Sequence, residues 1–240
     1  MEFELICYLN FGYPTIKEGI KAAQTYIKCG CKTLQLDIPS RNPYLEHQNV
    51  QDRMKYCLEH TPDYQDYFDG ISEIHVMYPN VKLVFMLYEN VVEELGVKRV
   101  ADFCNANNIH LSTYVGTNEK IKKELIENGL NIACYVQYHL PDDEVKFALE
   151  SNTPTLLQAR SVGKTREGYE TFKKALLYLR KSGITKPICA SVGIKTPQDI
   201  REVKNAGADG AFVGSALMNV IHDEKLLEKT IQQFAEAANA

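Results

Sequence analysis

No apolar run in these 240 residues approaches the roughly 20 residues that a helix needs to cross a bilayer. A membrane-spanning chain is therefore not expected. There is no surplus of positive charge: 27 Lys and Arg stand against 31 Asp and Glu, a formal net charge of −4. That balance argues against a broad nucleic-acid-binding surface. The N-terminus, "MEFELICYLN", has no basic region and carries two early glutamates, unlike a signal peptide. Cysteine follows no useful pattern. Cys7, Cys29, Cys31, Cys57, Cys104, Cys134 and Cys189 are odd in number, and Cys29-Gly30-Cys31 is too tight for a usual metal pair. Neither a disulfide framework nor a zinc site follows. The six histidines show no metal spacing either. We expect no metal, no cofactor and a reduced, cytoplasmic chain. Tryptophan is absent, which by itself excludes nothing. No linker, low-complexity tract or fixed-period repeat divides the chain.

What is present is alternation. Short apolar runs rich in β-branched or aromatic residues occur at Leu5–Leu9, Thr33–Ile38, Lys82–Leu87, Ile109–Ser112, Asn131–Val136, Thr155–Gln158, Pro187–Ser191 and Gly210–Val213. Stretches with helical spacing lie between them: Ile16–Ile27, Val97–Asn107, Lys120–Asn128, Asp143–Glu150, Tyr169–Lys181 and Pro197–Ala206. In the first, Ile16, Ile20, Ala23 and Ile27 form a stripe. Several end at a glycine or asparagine: Gly30, Asn128-Gly129, Gly183 and Gly207. Strands alternating with helices imply a parallel sheet with helical crossovers. Eight strand candidates predict a single (β/α)8 TIM barrel over residues 1–240. A doubly wound open sheet is the second choice, but it would need more glycine-rich phosphate chemistry after the first strand.

Four stretches carry chemistry. In "LQLDIPSRNP" a buried strand runs into a proline-rich loop, and strand alternation puts Gln35 and Asp37 on one face. In "ASVGIKTPQDI" a strand ends, Gly193 lets backbone approach a ligand, and Thr196-Pro197 starts a helix. In "AGADGAFVGSALM" Gly214-Ser215 precedes a helical run whose free N–H groups favour an anion. Alone, such a pair is an ordinary cap. Glycine turns after strands seven and eight together match the phosphate site of (β/α)8 barrels. In "QARSVGKTREG" a polar, basic loop reads as a mobile cover over a ligand, or as a plain solvated connection.

These stretches, with "GYPTIKEGIKAAQTYIKCGCKTLQLDIPSRNP", "MLYEN", "GIKTPQDI" and "GADGAFVGSALM" in the same order and spacing, resemble the α subunit of tryptophan synthase over nearly the whole chain. The resemblance implies retro-aldol cleavage of indole-3-glycerol phosphate to indole and glyceraldehyde 3-phosphate. It carries phosphate binding onto Gly193, Gly214 and Ser215, and pocket lining onto Tyr88 and Tyr8. It carries the loop-six lid onto residues 160–168, with Arg160 and Lys164, and Thr165 and Tyr114 are counted among the substrate-binding positions. The chain starts almost at strand one, so the family's short N-terminal helix is expected to be missing.

The departures lie in the acid–base half. The family's catalytic glutamate falls on Gln35. Its second carboxylate falls on Glu46, a glycine falls on Asp37, and the aspartate ending strand four falls near Tyr114. A glutamine amide positions but does not exchange protons near neutral pH. Any acid–base work must pass to Asp37 or Glu46. Asp37 can equally be a structural carboxylate bonding loop N–H groups or Arg41, and Glu46 a surface residue.

Three functions are consistent with this pattern. One is a lyase or aldolase acting on a phosphorylated three-carbon substrate. Another is a catalytically silent α-like subunit that binds a phosphorylated ligand and regulates a pyridoxal-phosphate β-like partner. The loop "PSRNPYLEHQN" keeps Asn42-Pro43 where the family meets that partner. The weakest is a phosphosugar isomerase or synthase; Lys82 sits too early in its strand and Lys164 lies in a loop.

Overall fold

The computed structural model describes residues 2–43 and 46–240. Tyr44 and Leu45, within the loop assigned to a partner, lie outside the described residues. In chain order the elements are β1 (Glu4–Leu9), α1 (Ile16–Lys28), β2 (Thr33–Asp37), α2 (Gln48–His60), α3 (Tyr64–Met77), β3 (Lys82–Tyr88), α4 (Glu89–Leu95), α5 (Val97–Ala106), β4 (Leu111–Val115) and α6 (Glu119–Glu127). They continue with β5 (Cys134–Val136), α7 (Asp142–Glu150), β6 (Thr155–Gln158), α8 (Phe172–Lys181), β7 (Ile188–Ser191), α9 (Pro197–Ala206), β8 (Gly210–Val213), α10 (Ser215–Met218) and α11 (Glu224–Asn239). The sheet order is β4-β3-β2-β1-β8-β7-β6-β5. Every described strand pairing is parallel. This is the strand order and sense of a (β/α)8 fold, not of a doubly wound sheet.

The chain divides into two compact units, residues 8–132 and residues 1–7 with 133–240. In the first, β2 pairs with β3 and β3 with β4 in continuous register, Asp37 opposite Met86 and Tyr88 opposite Val115. Its core is aromatic: Phe11, Tyr26, Tyr67 and Phe85 are completely buried. In α1 the buried line is Gly19, Ala23 and Tyr26. The isoleucine stripe is thus rotated to the edge of the contact, because small residues let the helix approach closely and Tyr26 fills the space beyond them. In the second unit β1 pairs with β8, β8 with β7, β7 with β6 and β6 with β5. All of β6, β7 and β8 is buried, as strands covered on both faces are.

The boundaries show where local pattern and packing part company. The fourth strand lies at Leu111–Val115, displaced from the expected Ile109–Ser112, because Tyr114 and Val115 continue the ladder against Leu87 and Tyr88. The fifth shrinks to Cys134–Val136, with Ile132 making only an isolated bridge to Ser112. Helix α8 starts at Phe172 rather than Tyr169, because the Thr171 side chain caps it by accepting from Lys174 N–H at 3.3 Å. Gly30, Gly129, Gly183 and Gly207 close their helices with positive φ, as expected. Helices α2, α3, α4 and α11 had no counterpart in the sequence reading.

Candidate functional site

Within residues 8–132, Tyr8, Asp37, Tyr88 and Tyr114 all stand at or next to the C-terminal ends of their strands. Asp37 is completely buried. It accepts from Tyr8 Oη at 2.6 Å, from Phe11 N–H at 2.9 Å, and from the Asn10 amide at 3.1 Å on Oδ1 and 3.0 Å on Oδ2. Burial raises its pKa to about 7, while the bonds from Tyr8, Phe11 and Asn10 pull it down and the nearby Glu46 adds to the rise. Arg41, considered as its partner, instead pairs with Glu94 at 3.2 Å.

Glu46 is half-buried. Its Oε1 accepts from Tyr88 Oη at 3.1 Å. Burial raises its pKa, opposed by the Tyr88 bond and by His47. The Tyr8 and Tyr88 hydroxyls are both pushed well up, first by burial and then by the charges of Asp37 and Glu46. Two carboxylates and two phenols therefore form one electrostatically coupled cluster, in which each carboxylate carries a phenol hydroxyl. Four residues singled out from sequence are brought together here.

Gln35 and Tyr114 stand apart from this cluster. The Gln35 amide donates to Thr113 Oγ1 at 3.2 Å. Tyr114 Oη donates to Glu89 Oε2 at 2.9 Å. The same Glu89 oxygen takes Thr117 N–H at 2.6 Å and Asn118 N–H at 2.7 Å, so one carboxylate holds the loop after β4. Sequence reasoning missed Glu89 and Asn10. An acid directly after a strand tyrosine, and a polar residue just past a buried strand, were the signals available.

The second unit holds the other named positions. Gly193 has φ +111, and a Cβ there would sit 3.1–3.2 Å from the Arg160 side chain. Arg160 Nε donates to Gly193 O at 2.9 Å, and its guanidinium pairs with Asp199. Asp199 also accepts Lys195 N–H and Thr196 N–H at 2.8 Å each, and forms a capping box with Thr196 at the start of α9. Thr-x-x-Asp before a helix is a readable capping signal that the sequence reading used only in half. Arg160 is thus a fastener at the base of the 160–168 loop. Arg166 ties its far end, donating to Leu140 O at 3.1 Å and Asp142 at 2.9 Å. Between them Lys164 and Thr165 are exposed. Ser215 is the exposed first residue of α10, and Gly214 precedes it at φ −116. Val192, beside Gly193, has φ +62, a strained value for a β-branched residue.

The whole chain, residues 1–240, matches the family described as Tryptophan synthase alpha chain. The chain belongs to the tryptophan synthase alpha chain family. Among curated relatives, a tryptophan synthase alpha chain of Methanosarcina barkeri is 26% identical over 241 residues, covering 98% of this chain and 90% of its own. One from Arabidopsis thaliana is 20% identical, covering 95% and 85%. Among solved structures, a protein from Aquifex aeolicus has TM-score 0.86 at 22% identity, covering 98% of this chain and 93% of that one. The tryptophan synthase subunit alpha of Legionella pneumophila has TM-score 0.84 at 20% identity, covering 98% and 92%. The fold class is the (β/α)8 TIM barrel of the tryptophan synthase alpha structures. None of the described helices is long and apolar enough to cross a membrane. No metal-holding group of His, Cys, Asp and Glu occurs among the described residues.

Proposed function

We propose that this member of the tryptophan synthase alpha chain family is a lyase that splits a phosphorylated three-carbon, indole-3-glycerol-phosphate-like substrate by a retro-aldol reaction, releasing glyceraldehyde 3-phosphate. One observation carries the reading. Two buried or half-buried carboxylates, each with raised proton affinity and each bonded to a phenol, lie in one cluster despite the glutamine at position 35. A buried carboxyl raised to about 7, as in Asp37, can hold and release a proton near neutral pH. Glu46 is assigned the proton of the substrate hydroxyl, since it alone of the two carboxylates is partly open. Gln35 is assigned positioning through Thr113. Gly193, Gly214 and Ser215 are assigned phosphate binding, with Lys164 and Thr165 on the loop of residues 160–168; Tyr8 and Tyr88 are assigned to the carboxylate cluster.

The test is turnover of indole-3-glycerol phosphate by the isolated protein, following indole and glyceraldehyde 3-phosphate, beside Gln35→Glu and Glu46→Gln. Turnover by the natural sequence that Glu46→Gln abolishes supports the reading. Turnover by Gln35→Glu alone supports a second one: a silent α-like subunit that binds a phosphorylated ligand and regulates a β-like partner. The saturated hydrogen bonding of Asp37, together with Gln35, is what favours that alternative.

A further inference from the structure

We propose that Tyr8 is the catalytic acid of this site and that Asp37 acts behind it as a positioning residue that refills it, a two-step proton relay. The proposal rests on the lyase reading above. It begins with Asp37's oxygens. A carboxylate offers about four lone-pair positions. Oδ1 is met by Phe11 N–H and the Asn10 amide, Oδ2 by Tyr8 Oη and the same amide. The side chain is completely buried. No position on it is left to meet a substrate atom.

Three donors surround it, and they differ in kind. A backbone N–H and a carboxamide N–H do not surrender protons during a catalytic cycle near neutral pH. A phenol can give its hydrogen on one side while its oxygen takes another. Of the three, only Tyr8 can pass a proton onward. Its hydroxyl is the shortest of the contacts, at 2.6 Å. Glu46 and Tyr88 act on the Tyr8 hydroxyl electrostatically, and Glu46 acts on Asp37 as well, so the more open carboxylate belongs to the same cluster.

The enclosure is built from consecutive chain. Tyr8, Asn10 and Phe11 lie within four residues at the end of β1, and all three point hydrogen at one carboxylate from β2. Asn10 pays for this: its own Oδ1 is buried with no hydrogen-bond partner among the described residues. Leaving a buried acceptor unmet is costly. The segment accepts that cost to keep both amide contacts on Asp37. The titratable groups that face Asp37 are Tyr8 from β1, Tyr88 from β3, Glu46 from the loop after β2 and Cys57 from α2. With a pKa raised to about 7 by burial, Asp37 is neutral in part of the population near neutral pH.

The step balances as follows. With Asp37 neutral, its hydrogen lies toward Tyr8 Oη, and the Tyr8 hydrogen turns to the substrate. The carbon–carbon bond breaks with its electron pair passing to the leaving fragment, whose carbon gains the Tyr8 hydrogen. Tyr8 Oη takes the Asp37 hydrogen, leaving a carboxylate. The substrate hydroxyl becomes a carbonyl and its proton passes to Glu46. Return of that proton through solvent and then the Tyr8 hydroxyl to Asp37 resets the pair.

The test uses the full chain with indole-3-glycerol phosphate. Tyr8→Phe is expected to lower kcat about 10²–10⁴-fold with KM within a few-fold. Asp37→Asn is expected to match it, and the double variant to be no worse than either. The wild type is expected to lose kcat as pH rises through the Asp37 transition, and Tyr8→Phe to lose that limb. A ring-fluorinated tyrosine placed at position 8, equal in shape and more acidic, is expected to change kcat; a merely structural Tyr8 would leave it unmoved. Circular dichroism confirms folding of each variant. Wild-type turnover with Tyr8→Phe and the fluorinated chain unaltered overturns the relay and leaves the lyase reading standing. A wild type inert toward the substrate overturns the lyase reading, and the relay with it.

Discussion

Replacing Asp37 with asparagine changes how stability depends on pH. The carboxyl is completely buried, and burial lifts its pKa from 3.8 to about 7. The folded protein therefore favours the protonated form. Its contribution to stability is fully present below the unfolded pKa and is lost as pH rises through the folded one. The full span, about three pKa steps at 1.36 kcal/mol each, is on the order of 4 kcal/mol. Between about pH 5 and pH 8 the loss is about 2.5 kcal/mol by the same linkage relation. For a chain of this size that is a melting shift of about 5–10 °C. Asparagine has no such titration, and Tyr8, Tyr88, Glu46 and Cys57 remain in both proteins. The measurement is thermal unfolding by circular dichroism at several pH values for wild type and Asp37→Asn. The asparagine variant starts with a fixed deficit or surplus from its altered hydrogen bonds. The melting temperature of Asp37→Asn minus that of wild type should then climb by about 5–10 °C from pH 5 to pH 8. A difference that stays flat across that window would refute the reasoning, because Asp37 would then be ionised alike in folded and unfolded chains.

Asp199→Ala removes the acceptor for two backbone N–H groups, the α9 capping box and the Arg160 pair; it should cost about 1–3 kcal/mol in urea unfolding and speed proteolysis within residues 160–168. Glu89→Gln should raise amide exchange at Thr117 and Asn118, whose N–H groups it holds, while leaving β3 protected. Gly116→Ala should do the same by another route, since a Cβ there collides with the Glu89 side chain. Val192→Gly should stabilise the fold by about 0.5–1 kcal/mol, because relief of about 1–2 kcal/mol of left-handed strain exceeds the entropic cost of glycine; equal or lower stability would show the φ of Val192 to be unstrained.

Much of the fold was legible because the chain repeats one physical instruction. A short, fully buried strand, a polar turn and a capped helix recur, and each carries its own signal at β6, β8 and α9, whose bounds match those read from sequence. Of the elements that were missed, α2 and α4 lack that signal, whereas α3 and α11 carry aspartate caps, Asp63 and Asp223, that went unread. His47, just before helix α2, makes no side-chain capping bond, and α3 follows α2 through only a short break. Helix α4 starts directly from the end of β3 with no turn residue between. The candidate site was half legible for a different reason. Period-two alternation placed Gln35 and Asp37 at the correct strand end, and strand ends located Tyr8 and Tyr88. Which partner each side chain takes depends on contacts between distant segments. Gln35 bonds Thr113, Tyr114 bonds Glu89, and Arg160 pairs with Asp199.

The arginine lying across Gly193 has a consequence for how such chains diverge. The stem of Arg160 occupies the space that any side chain at position 193 would need, and its head is fixed by Gly193 O and by Asp199. The three positions are thus physically coupled across two loops. A drift to alanine at 193 would meet the arginine stem and also the strain of a φ of +111, so shortening the arginine alone would not admit it. A shortened residue 160 would leave Asp199 still held by Lys195 N–H, Thr196 N–H and the capping box of α9. Relatives that have lost the arginine are therefore expected to keep Gly193 for its backbone and Asp199 for the helix start.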